Sequence, residues 1–162
     1  MAQVDYFLKI EGVDSESTDD KHKGEIDCMS FSWGQTNAGT AGHGAGAGAG
    51  KVLPQDFTFT KKMDKASPLL MIGCATGQHF KSAILTARKA GGGQQEYLKI
   101  TMSDLMVTSY QTGGSAEGDP VPIDQISMNF AKLEMIYKEQ KPDGSLGGDI
   151  KQGYDYAANK KL

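Results

Sequence analysis

Arginine is almost missing from this chain: Arg88 is the only one among 162 residues. Nucleic-acid readers rely on arginine for phosphate and base-edge contacts. A net charge of −3 also lacks the basic excess they carry, so no nucleic-acid partner is expected. Long apolar runs are absent too. None approaches the ~18 residues a membrane helix needs, so no membrane insertion is expected. The N-terminal MAQVDYFLKIEG has no charged region followed by an apolar stretch, which argues against a cleavable secretory signal. The chain is expected to be made in the cytoplasm and, if it leaves the cell, to do so without such a signal. Two cysteines, Cys28 and Cys74, are too few for a disulfide framework and read as reduced core thiols.

Reactive constellations are equally sparse. His22, His43 and His79 show no metal-ligand spacing with one another or with cysteine; they read as exposed or hydrogen-bonded side chains. In the glycine-rich segment a GxxxxGK loop fails at Ala45 and Val52, and GxGxxG fails at Ala49. Ser115 is followed by Ala116-Glu117 and makes no nucleophile elbow. Asp19, Asp20, Asp143 and Asp149 read as solvated turn acids, and the lysines as a solvated surface. No catalytic residue, cofactor or metal site is expected.

Glycine, in contrast, is abundant at 21 residues, and much of it lies in Gln35 to Gly50, QTNAGTAGHGAGAGAG. Such a segment cannot pack a core, and a long loop inside a compact domain is usually functional. One helix stands out, about Ser67 to Gly77. Ser67 can cap it, Pro68 suits its first position, and Gly77 suits a left-handed stop. A helix so short and so apolar is expected to be buried against something larger.

The rest alternates as strands do. Val4 to Ile10 puts Val4, Tyr6, Leu8 and Ile10 on one face. Glu25 to Gly34 puts Ile26, Cys28, Ser30 and Ser32 opposite Asp27, Met29, Phe31 and Trp33. Further strands are expected over Lys51–Lys61, Ser82–Lys89, Gln95–Ser103, Leu105–Tyr110, Gln125–Lys138 and Asp149–Tyr156. A parity slip near Ala131 predicts a β-bulge or a change of partner sheet. The expectation is one mainly β domain over residues 1–162, two packed antiparallel sheets forming a barrel or sandwich, with one short flanking helix. The residues alone suggest a self-assembling β protein that uses its strand edges. A monomeric sandwich that binds a ligand is the alternative.

The segments DYFLKIEGVDSES, EIDCMSFSWGQT, DFTFTKKMDKASPLLMIGCATGQHFKSAILTARKAGG, EYLKITMSDLMVTSY and ISMNFAKLEMIYKEQKPDG together resemble the haemolysin-coregulated protein (Hcp) family, the tube protein of the bacterial type VI secretion system. The resemblance covers essentially the whole chain, and its most specific parts are SWG, the FTK…DKxSPxLM…C…GxHF block and TARKAGG. It implies a barrel-like fold of two sheets with one helix, and a non-enzymatic role. It also implies homohexameric rings that stack into a tube inside a contractile sheath. The sheath, baseplate and tip spike proteins would then be partners, and effectors would ride in the pore. Ending at Leu162, just after its last strand, the chain resembles the plain tube form without a toxin domain. On this reading Ser30 and Ser32 are expected to line the pore. The arm containing Gly39, Gly42, His43, Gly44, Gly46, Gly48 and Gly50 is expected to help rings stack. Phe31, Trp33, Leu70, Met71 and Cys74 are expected in core or subunit packing.

Overall fold

The structure, a computed structural model, describes residues 4–39, 51–89 and 93–162. Its described residues form eleven strands and one helix, more strands than the eight the alternation suggests. They are β1 (Val4–Ile10), β2 (Ile26–Cys28), β3 (Ser30–Ser32), β4 (Gln35–Asn37), β5 (Val52–Pro54), β6 (Phe57–Lys62), α1 (Ser67–Thr76), β7 (His79–Lys89), β8 (Glu96–Gly113), β9 (Ile123–Gln140), β10 (Leu146–Asp155) and β11 (Lys160–Lys161).

All ladders are antiparallel. The main sheet runs β11-β10-β9-β8-β7-β1-β2, with β6 branching from β9 and carrying β3. The ladders do not close into a barrel; the sheet folds over itself as a sandwich around one core. That core joins Leu8, Leu85, Ile100, Met102, Phe57, Phe59, Ile126 and Met128.

Two strand expectations are corrected by partner exchange. Glu25–Gly34 breaks at Met29: β2 pairs with β1, while β3 pairs with β6, the strand that branches from β9. Inward parity therefore changes. Ile26 is buried before the break, and Phe31 and Trp33 pack on the core after it. Met29, at the break, is 53% exposed. Lys51–Lys61 likewise splits. β5 pairs with β4 in a separate two-stranded ribbon, and β6 enters the main sheet.

The slip near Ala131 is a change of partner. The first half of β9, Ile123–Met128, pairs with β6, and the second, from Lys132 onward, with β10. On its other side β9 runs against β8 throughout. Here β8 is one strand, where two are expected. Asp104 takes a left-handed φ of 54° within it, and the buried series shifts from Ile100 and Met102 to Leu105 and Val107. Both long strands thus switch inward parity at the same level, since Ser103 faces Lys132 and Leu105 faces Phe130.

The helix corrects two further expectations. Ala66 occupies the N-cap, and no side chain caps it; Ser67 is the first helical residue and turns its hydroxyl inward. Gly77 does end the helix at φ 68°, its N–H donating to the Gly73 carbonyl. Only one face is buried, by Leu70 and Gly73, because the helix packs mainly on β8 from outside the sheet. Leu69, Met71 and Ile72 stay 45–47% exposed.

Candidate assembly surface and its buried supports

The strand β6, FTFTKK, alternates strictly, so neighbouring side chains leave it on opposite faces. Phe57, Phe59 and Lys61 point inward and are fully buried. Thr58 and Thr60 point outward. Register carries that outward row across three strands: Ser30 faces Thr60, Ser32 faces Thr58, and Thr58 faces Ser127. The hydroxyls pair. Ser30 Oγ lies 2.6 Å from Thr60 Oγ1, and Thr58 Oγ1 lies 2.8 Å from Ser127 Oγ. Asp56 extends the row, accepting from the Thr108 hydroxyl at 2.6 Å and from Asn129 at 3.3 Å. Four of the hydroxyl groups on this face thus pair with one another, while Ser32 stays exposed beside them.

Ser30 and Ser32 are exposed on this face. Thr58, Thr60 and Ser127 were missed as site residues, although the FTFT alternation marks the two threonines. Beneath Ser30 and Ser32, Phe31 meets Tyr6 edge-on at 5.2 Å and stacks on Phe57 at 5.7 Å. Trp33 leans on Phe130 at 6.3 Å. Leu70 is buried in the core and Cys74 packs against it, whereas Met71 stands on the exposed helix face. Gly39 is exposed just past β4. Gly42, His43, Gly44, Gly46, Gly48 and Gly50 lie outside the described residues.

The family-like block FTK…DKxSP has a physical basis that its spacing does not reveal. Lys61 is 0% exposed, a correction to the solvated-lysine expectation. Its ammonium donates to Asp64 at 2.8 Å, Ser67 at 2.6 Å and Asp124 at 2.8 Å. Ser67 in turn donates to Asp124 at 2.5 Å. Burial pushes the Asp124 carboxyl up, but the bonds from Lys61 and Ser67 outweigh it and hold the carboxyl below its ordinary value. The start of the helix is thereby tied to the middle of the sheet.

A second ionic cluster explains TARK. Arg88, 3% exposed, donates to Asp19 at 2.7 and 3.0 Å and to Asp5 at 2.9 Å. Its guanidinium sits 4.8 Å over the Phe7 ring, which accounts for Phe7 being buried against its strand's parity. Asp19 is therefore an ion-pair partner of Arg88 and no free turn acid; that bond pulls its pKa down to about 2. His22 stacks on Phe7 at 4.3 Å and bridges Glu25 and Glu96. Burial raises the Cys28 thiol well above its usual range, and both cysteines are free. Among the described residues no group of three metal-ligating side chains converges, and no helix is long and apolar enough to cross a membrane.

Comparison with known proteins adds the following. The family model described as "Type VI secretion system effector, Hcp" matches residues 7–137. The chain is 45% identical to the protein hcp1 of Pseudomonas aeruginosa over 96% of its own length and 97% of that protein. Its fold is similar to the crystal structure of Hcp1 from Salmonella typhimurium, with 38% identity, a TM-score of 0.84, and coverage of 99% of this chain and 100% of that one. A solved type six secretion system protein superposes with a TM-score of 0.92 at 32% identity, covering 98% of this chain and 99% of that one.

Proposed function

The chain belongs to the Hcp family of the type VI secretion system, and from that premise we propose that it is the subunit of a secreted tube. Copies close into homohexameric rings, and rings stack into the inner tube that sheath contraction expels. The protein leaves the cell by that route. Its partners are further copies of itself, the sheath, baseplate and tip spike proteins, and effectors carried in the pore. The role is structural and non-enzymatic.

The observation that carries this reading is the hydroxyl face of β3, β6 and β9, where Ser30 pairs with Thr60 and Thr58 with Ser127. A pore that holds cargo and then releases it needs a hydrated wall with few orphan donors and no apolar patch. Ser30 and Ser32, joined by Thr58, Thr60 and Ser127, supply one. The ribbon β4–β5, which forms its own small sheet, supports an arm that reaches a neighbouring ring. The alternative, a monomeric ligand-binding sandwich, has no comparable support.

Negative-stain microscopy with native mass spectrometry tests the reading. Rings with a central hole and six times the 17.3 kDa subunit mass are expected. A monomer at every concentration would remove the ring and leave the ligand-binding sandwich. With rings in hand, a cross-linker on Ser32→Cys should capture cargo; labelling only from the outer rim would move the pore wall elsewhere.

A further inference from the structure

Register carries the hydroxyl face onto β8. There Ser109 faces Ser127 and Gln111 faces Gln125, and Gln125 in turn faces Thr60 of β6. Cross-strand partners share a face, so neutral polar side chains run across β3, β6, β9 and β8. Charge enters at the two ends of the β6 row. Asp56, Thr58, Thr60 and Lys62 alternate on the outward side, which sets Asp56 and Lys62 roughly 20 Å apart at ~3.3 Å per residue. Lys62 is paired with Asp119 at 3.1 Å. Asp56 has only neutral donors among the described residues, the Thr108 hydroxyl at 2.6 Å and the Asn129 amide at 3.3 Å. The described face therefore carries one uncompensated charge, and that charge is negative.

A single exposed carboxylate attracts a cation only weakly. Symmetry and confinement change that. In a ring every copy places its Asp56 at the same level of the wall. Like charges lining a narrow passage focus their field, and rings of acidic side chains make pores favour cations. We propose that Asp56 sets the charge preference of the pore wall. Cargo that rides against this face presents lysine or arginine at the Asp56 level, and acidic segments are disfavoured there. The neutral rows beside Asp56 cannot make that distinction, because a hydroxyl or amide accepts from a cation and donates to an anion alike. The inference rests on the ring reading, with this face turned to the pore, and deepens it by naming the chemistry of the cargo.

Fluorescent hexalysine and hexaglutamate peptides serve as probes on rings whose assembly native mass spectrometry has established. By anisotropy at low salt, hexalysine should bind and hexaglutamate should not. Asp56→Asn should weaken hexalysine binding roughly tenfold and flatten its salt dependence. Asp56→Glu, which keeps the charge, should bind as wild type does. A thiol-reactive hexalysine should label Ser32→Cys rings, as peptide mapping reads it, and adding Asp56→Asn should slow that labelling. A protein that never leaves the monomer would overturn the ring reading and this proposal together. Intact rings that take hexaglutamate as readily as hexalysine would overturn this proposal alone. So would rings whose hexalysine affinity survives Asp56→Asn, or whose bound hexalysine never labels Ser32→Cys.

Discussion

The two faces of β6 are made by the same six residues and behave as opposites. Phe57, Phe59 and Lys61 are sealed inside, each with fixed partners. Thr58 and Thr60 stand outside, and water can replace any hydroxyl bond they lose. An inward side chain is held by what surrounds it, so its removal leaves a void or an orphaned charge. An outward one is held by exchangeable bonds, so the face can be rewritten for function at little cost in stability. One strand thereby anchors the fold and presents a surface, provided its register does not slip by a single residue.

The sharpest test of that contrast is charge removal inside. Lys61→Ala leaves Asp124 uncompensated at 0% exposure and should cost about 3–5 kcal/mol in chemical denaturation. Replacing both partners, as Lys61→Met with Asp124→Leu, should cost clearly less than the single change, because the orphaned charge is gone. Equal losses would mean that packing, and not charge, governs the inner face. Phe59→Ala should cost about 3–5 kcal/mol through the cavity it leaves, with no relief from any polar second change.

A smaller effect should appear on acidification. The pKa of Asp19 is depressed to about 2 by Arg88. Its stabilisation is fully present above its unfolded value, about 4, and is lost as pH falls through about 2. The denaturation midpoint should hold steady from pH 7 to 5 and fall between about 4 and 2. Asp19→Asn should be less stable at neutral pH and show a shallower fall across that window. The smallest effect should come from outside: Thr58→Ala and Thr60→Ala should each stay within about 0.5 kcal/mol of wild type. A large loss at either position would mean that the two faces are not distinct in the way their burial indicates.

Much of this was legible before any coordinates. Local rules sufficed for the helix, its glycine stop, β1, and the slip that marks the change of partner in β9. Parity set Ser30 and Ser32 opposite Phe31 and Trp33, but it also grouped them with Ile26, which is buried before the break. What stayed hidden depends on neighbours distant in sequence. The break at Met29 was invisible because the alternation continues through it, while β2 pairs with β1 and β3 with β6, the branch from β9. Thr58, Thr60 and Ser127 join Ser30 and Ser32 only through register. Lys61 read as solvent-facing because lysine usually is; its buried partner, Asp124, lies 63 residues away.

The sequence by itself determined that this is a β protein of alternating strands with one short helix. Periodicity and turn chemistry are local, and they act before any tertiary contact forms. Only the tertiary structure decided which alternating residue became core and which became surface. It alone also brought Arg88 to Asp5 and Asp19, and Lys61 to Asp124. Strand pairing and burial are non-local. Each depends on which distant segment arrives alongside, and that is set by the register and partner of whole strands.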